Sequence, residues 1–307
     1  MQIPILNGIF TDSSPNFRTS YPVNLVPVPK STGISEGYLR PAEGIVKTGD
    51  GPGANRGGLN WNGVLYRVMG TKLVTVAQDG TVTVIGDVGS GGRVTFTYSF
   101  DYLAVTSGGR LYLYDGTTLT QVTDPDLGTA LTVVWVDGYF MTTDGEFLVI
   151  TELNNPFAVD PLKYGSSEAD PDPVKSLLKL RNEIYALNRH TIEVFDNTGS
   201  AGFPFQRIAG AQIQKGTLGT HTCCVFEEAI AFMGSGMNES VSVWVGANGT
   251  AQKIATREIE EILEGYTEAQ LSTVFMQERT HGAHQFLDVH LPDQTLVFDA
   301  AASQVLG

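Results

Sequence analysis

Basic residues are scarce in this chain of 307 residues, where 19 Lys and Arg stand against 33 Asp and Glu and leave a net charge of −14. Phosphate backbones are neutralised by clustered Lys and Arg, so direct, sequence-specific DNA binding is not expected. Cysteine is nearly absent. The two present, Cys223 and Cys224, are chain neighbours inside an apolar run, which excludes a disulfide framework and fits a reduced, half-buried strand. Hydrophobic runs long enough for a membrane span are missing too, and no stable membrane insertion is expected. The opening Met-Gln-Ile-Pro-Ile-Leu has neither a basic region nor a long apolar stretch, so it does not read as a secretory signal, and synthesis in the cytoplasm follows.

Catalytic signatures are equally thin. His281-Gly-Ala-His284 with His290 resembles a histidine cluster, yet it falls in a Gly-containing turn and no Cys or Glu completes a metal set. The Gly-rich runs near residues 49–53 and 89–92 lack the Lys-Ser/Thr and following helix of a phosphate loop. Gly234-Ser-Gly236 sits in a hairpin loop rather than a nucleophile elbow. Acids such as Asp115 and Asp144 precede glycines at strand ends, where Asp caps a turn. No catalytic, cofactor or metal residue is assigned and no enzyme is expected. A glycosidase-like or ligand-binding propeller stays open as the alternative.

Glycine, by contrast, is plentiful: 35 residues with 14 Pro beside them force frequent turns. Residues 1–60 are rich in Pro, Gly, Ser and Asn without sustained periodicity and read as an extended arm. The arm is almost neutral, at +1, whereas residues 61–307 carry −15. From residue 61 one phrase recurs six times: an apolar strand, a polar turn, then an alternating strand ending in Asp, Gly or Asn. The second strands open at Leu73, Leu111, Phe147, Ile192, Val241 and Leu296, at spacings of 36 to 55 residues. Hairpins at that period predict an all-β, six-bladed propeller over residues 61–307, with linking stretches such as Thr81–Ile85 and Arg93–Thr97 adding the other strands of each blade. The branched residues Leu111, Leu113, Val194 and Val243 are expected between blades. The widest spacing holds a helical insertion at about 256–279, where Ile259, Ile262 and Leu263 share a face and Thr267-Glu-Ala-Gln270 forms a capping box. The insertion is expected to be an assembly surface that the propeller can lose; the competing reading is a cap that buries its apolar face on a blade edge.

Several segments resemble, in order, the packaged DNA stabilization proteins of short-tailed bacteriophages. They include Tyr21, Pro22 and Asn24 in the arm, Gly37-Tyr38-Leu39-Arg40 followed by Gly44, and Arg56-Gly57. Lys215-Gly216, Ile254-Ala-Thr256 with Ile259-Glu260, Tyr266-Thr267 and His290-Leu291-Pro292 continue the series to the end of the chain. The resemblance implies a virion protein of the tail, made in the bacterial host cytoplasm. It would self-assemble as a ring, a hexamer, below the portal complex and its adaptor, close the channel after packaging, and form the hub for tail needle and tailspikes. Family members continue past the point where this chain stops, so a longer chain or a short variant is implied.

Overall fold

The computed structural model describes residues 23–30, 37–282 and 284–301. In the arm, β1 (Leu25–Pro29) and β2 (Gly37–Pro41) form an antiparallel hairpin of their own. Six meanders follow. Blade 1 contains β3 (Asn55–Trp61), β4 (Val64–Met69), β5 (Lys72–Val76) and β6 (Val82–Asp87). Blade 2 contains β7 (Thr95–Tyr98), β8 (Leu103–Ser107), β9 (Arg110–Tyr114) and β10 (Leu119–Gln121). Blade 3 has β11 (Val133–Val136), β12 (Tyr139–Thr143), β13 (Phe147–Glu152) and β14 (Asn155–Val159), with β15 (Gly165–Ser166) also pairing with β13. Blade 4 runs β16 (Val174–Leu180), β17 (Glu183–Asn188), β18 (Ile192–Asn197) and β19 (Phe205–Arg207). Blade 5 runs β20 (Cys223–Phe226), β21 (Ala229–Gly234), β22 (Ser242–Ala247) and β23 (Thr250–Lys253). After α1 (Arg257–Glu264) and α2 (Glu268–Leu271), blade 6 has three described strands, β24 (Phe275–His281), β25 (His284–His290) and β26 (Thr295–Asp299). The chain is a six-bladed β-propeller, with β3 beginning inside what composition marks as arm.

Strand periodicity builds the ring. Successive side chains point to opposite faces of a blade, and both faces are covered by neighbours. Thus Leu103, Val105, Tyr112 and Tyr114 pack toward blade 1, whereas Ala104, Leu111 and Leu113 pack toward blade 3. Val194 lies between blades 4 and 5 and Val243 between blades 5 and 6. Turn chemistry agrees with the meander: Asn62-Gly63, Asp137-Gly138 and Asn248-Gly249 all have positive φ at both positions, the type I′ geometry that tight hairpins favour.

Five apolar clusters fill the gaps between blades 1 and 2 through 5 and 6. The sixth gap is built differently. Blade 6 turns Arg279, Asp288 and His284 away from blade 5; Arg279 pairs with Asp288 at 2.9 Å and lies over the Phe286 ring. The arm joins the two sides of this gap. Glu43 contacts Arg40 at 3.0 Å and His281 of blade 6 at 3.3 Å, while Gly49 and Gly53 lie against the backbone at Gly80 and Gly70 of blade 1.

An up-and-down meander places first and third turns of every blade on one face of the ring and second turns plus blade-to-blade links on the other. Both helices belong to the link between blades 5 and 6. They are not dispensable ornaments: Leu263, Leu271 and Val274 are buried in the core shared by those blades, with Ile259 and Ile262 packed against it. The expectation that the propeller can lose the insertion is therefore corrected in favour of the capping arrangement. The insertion is also shorter than expected, because residues 275–279 belong to β24.

Candidate functional site

The link face gathers the residues from Lys215 onward that carry the family resemblance. Lys215 pairs with Glu239, whose pKa that bond lowers, and its ammonium lies 5.2 Å from the Trp244 ring centre. Gly216 is held between blades: its N–H donates to Ser235 O, and the next amide, Thr217 N–H, donates to Asn188 O at 2.8 Å. Tyr266 donates to Asp293 in the β25–β26 turn, and Thr267 completes the capping box with Gln270. Leu291 is buried in the same core, with exposed Pro292 beside it. Arg189 of blade 4 reaches Glu268 of α2 at 2.9 Å and lowers that carboxyl's pKa. These contacts tie blades 4, 5 and 6 and both helices into one surface.

The arm residues of the resemblance lie apart from that surface. Asn24 sits at φ 54°, its carbonyl accepting from Ala42 N–H at 2.9 Å. Gly37, Tyr38, Leu39 and Arg40 form most of β2, Lys30 lies over the Tyr38 ring, and Gly44 would have open space around a β-carbon. Tyr21 and Pro22 lie outside the described residues.

Near the starts of the inner strands on the link face, aromatic and cationic groups stack. The Arg93 guanidinium lies 3.1 Å from the Phe275 ring centre, and Phe275 stacks on His290 at 4.0 Å and 14°. Burial, then the charge of Arg93, holds the nearby His221 down at about 4. Between that value and the ordinary histidine range the unfolded chain binds a proton that the folded chain refuses, so stability falls as pH drops from about 6.5 toward 4. The full loss, about 2 kcal/mol after allowance for partial exposure, is present below both values. Calorimetry across that range should show a smaller fall in Tm for His221→Gln than for the unmodified protein; equal slopes would remove His221 as the cause.

The opposite face carries a cavity of about 440 Å³ lined by Trp61, Asn62, Tyr98, Phe100, Trp135 and Lys179, among others. Phe100 is 89% exposed and meets Trp135 edge-on at 6.1 Å, while Lys179 lies 4.9 Å from the Trp135 ring centre with its pKa lowered by burial. Four blades contribute, the second with Thr97 to Phe100 and the others with one or two residues each, so no local motif announces the cavity. An aromatic near the first turn of successive repeats, Trp61, Phe100 and Trp135, was the available signal. In the adjoining depression Asp115 accepts from Thr117 and Thr118 N–H at 2.8 and 2.6 Å, a turn-capping role that lowers its pKa. Asp144 caps its turn in the same way.

No group of three potential metal ligands occurs among the described residues. His281 instead meets Glu43, and His284 pairs with Asp299 at 2.7 Å. In the acidic interval 156–173, Ser167 is buried and donates to Glu193, and Asp172 accepts from His190 N–H. Cys223 and Cys224 lie on β20 as free thiols, with Cys223 pushed up to about 12 by burial, which suits packing rather than redox chemistry.

Comparison with known proteins matches this architecture. The tail hub protein gp10 of Salmonella phage P22 is 31% identical over 325 aligned residues, covering 99% of this chain and 67% of that protein. Among solved structures, a protein described as the extracellular domain of a hybrid two-component system from B. thetaiotaomicron aligns with a TM-score of 0.51 at 12% identity, covering 79% of this chain and 32% of that one. An extracellular domain of a one-component system from the same organism gives 0.50 at 13% identity, covering 80% and 32%. The chain spans about a third of the length of these two structures, and the likeness shows the propeller fold alone. A family described as the bacteriophage P22 Gp10 β-propeller matches residues 1–307. With that full-length match and the relationship to a tail hub protein, this chain belongs to the bacteriophage P22 Gp10 β-propeller family, a family of structural phage-tail proteins.

Proposed function

We propose that the protein assembles as a ring of like subunits, a hexamer, beneath the portal complex and its adaptor, where it closes the DNA channel after packaging and serves as the hub for tail needle and tailspikes. The 31% identity to the P22 tail hub protein across 99% of the chain carries this reading. Charge supports it: at −14, the protein repels DNA rather than binding it, and retention by plugging needs no basic groove. The link face is the proposed adaptor-facing surface, because the resemblance-bearing residues from Lys215 onward lie there and α1 presents Glu261 and Glu264 to solvent. Virions are its expected location, after synthesis in the host cytoplasm.

Reversing both charges, Glu261→Lys with Glu264→Lys, tests this assignment without disturbing the buried side of α1. The exposed Arg257–Glu261 pair is worth about 0–1 kcal/mol at most, so the variant should fold with little change in Tm. In a complementation assay it should fail to enter tails, and the particles should lose packaged DNA. Normal incorporation and DNA retention would place the adaptor contact elsewhere.

One observation favours a second reading. The aromatic cavity combines ring faces with Lys179 and Asn62, a lining suited to stacking sugars, and it would serve a ligand-binding propeller. Titration with oligosaccharides, followed by tryptophan fluorescence, separates the readings: a saturable change that Trp135→Ala abolishes supports the second.

A further inference from the structure

We propose that Ile45, Val46 and Lys47 of one copy dock in the aromatic cavity of a second copy, so that the face opposite the links is an interface between subunits. The inference rests on the reading that the protein self-assembles, and it names the contact. Residues 41–50 are all exposed, and among them Ile45 is 101% and Val46 81% exposed. Neighbouring branched side chains left wholly in water mark a surface that a partner covers. Both ends of the stretch are held on the propeller: Glu43 meets His281 of blade 6 at 3.3 Å, and Gly49 lies against Gly80 O in the β5–β6 turn. Those two turns belong to the same face as the cavity. Residues 44–48 thus form a short protrusion with a fixed base and a bare apolar pair.

The receiving site is longer than the cavity alone. The 440 Å³ cavity and the adjoining depression of about 690 Å³ share Trp61, Asn62 and Phe100, which makes them one trough. Trp61, Phe100 and Trp135 line it with apolar rings, and the exposed Phe100 stands where the two parts meet. Its ends differ in charge. Lys179 lies with Trp135 at one end, whereas Asp101 and Asp115, both exposed, line the other. Lys47 follows Val46 directly, so with the apolar pair on the rings its ammonium is drawn to the acidic end and repelled from the Lys179 end. Its partner within the chain, Asp50 at 2.5 Å, forms an exposed ion pair that costs little to exchange.

Charge identifies the partner as a second copy. Bodies that each carry −15 repel one another, whereas the arm, at +1, is the part that an acidic neighbour admits. The complement of the trough is therefore on the molecule itself, and Ile45, fully exposed, is not seated in its own cavity. A protrusion and a socket at different places on identical subunits make a head-to-tail contact, which closes into a ring when the rotation between neighbours permits.

Sedimentation of the full chain over a range of concentrations tests the proposal. The unmodified protein should associate, and Ile45→Asp with Val46→Asp should weaken association at least about tenfold, as should Phe100→Ser, with circular dichroism showing every variant folded. Mixing these two variants should yield a one-to-one pair, since one keeps the socket and the other the protrusion. Lys47→Glu should weaken association, and Asp101→Lys added in the same chain should recover it. Association that none of these substitutions changes overturns the inference and leaves self-assembly standing, whereas an unmodified protein that stays a monomer overturns both. Association lost with Phe100→Ser alone also overturns it, because another segment then fills the trough. Oligosaccharide that fills the trough without dissociating the assembly does the same, because no neighbour then occupies it.

Discussion

Replacing Arg56 with Met should destabilise the propeller by about 3–5 kcal/mol, the cost of leaving several buried oxygen acceptors without their donor. Arg56 is 7% exposed on β3 and donates through all three nitrogens. Its Nε reaches Gly92 O at 2.6 Å, Nη1 reaches Gly70 O at 2.9 Å and Gly89 O at 2.8 Å, and Nη2 reaches Ser107 Oγ at 2.8 Å. Those acceptors lie in the β4–β5 turn, the link from blade 1 to blade 2, and the end of β8. One side chain thus fastens the first two blades. Methionine fills similar volume but removes the guanidinium donors from three carbonyls, of which Gly89 O keeps Ser107 Oγ at 3.5 Å. Lysine offers three donors from a single atom, so Arg56→Lys should recover less than half of the loss. Urea titration checks this: both variants should lower the midpoint with an unchanged slope, Met further than Lys. A Met variant as stable as the unmodified protein would show that water replaces the guanidinium without penalty.

Arg56 also marks what the sequence could and could not convey. The six expected hairpins correspond to the second and third strands of each blade, such as β8–β9 and β17–β18. Those strands are buried on both faces, as at Leu103 to Ser107, and so read as strong apolar runs. Inner and outer strands were harder to see. β3 reads Asn-Arg-Gly-Gly-Leu-Asn-Trp, with Gly57 required because a β-carbon there would lie 2.9 Å from Val94 Cγ2. Composition places that stretch in the arm, whereas close packing against the link to blade 2 makes it the inner strand of blade 1. The helical insertion was legible in kind, since the capping box at Thr267 formed as its pattern dictates. Its burial was not, because the core that takes in Leu263 and Leu271 is completed by Leu287, Val289 and Leu291, which follow later in the chain. Residues bearing the family resemblance proved to be largely structural on the link face. The aromatic cavity escaped notice because its residues meet only after four blades have closed around the axis.

Gly216→Ala is expected to cost roughly 2–3 kcal/mol, near the upper end for added volume, because the obstruction is backbone rather than a movable side chain. A β-carbon at Gly216 would overlap Asn188 O, Arg189 C and His190 N in the β17–β18 turn of blade 4. The link cannot retreat toward blade 5, where a β-carbon at Gly234 would in turn overlap Gly216 O. Two glycines therefore let three backbone segments touch. The hydrogen bonds from Gly216 N–H to Ser235 O and from Thr217 N–H to Asn188 O use that closeness. Displacing the link would lengthen both bonds and shift Lys215, whose partner Glu239 lies in the β21–β22 loop. The variant should unfold at lower temperature, by about 3–5 °C at the usual proportion for a chain of this size. It should also show faster amide exchange at Thr217 and Gly216, while amides of blade 2 keep their protection. Loss of protection spread evenly over all blades would mean that the ring unfolds as one unit and that the glycine contact is not a local seam. An unchanged Tm would show that the link moves aside freely.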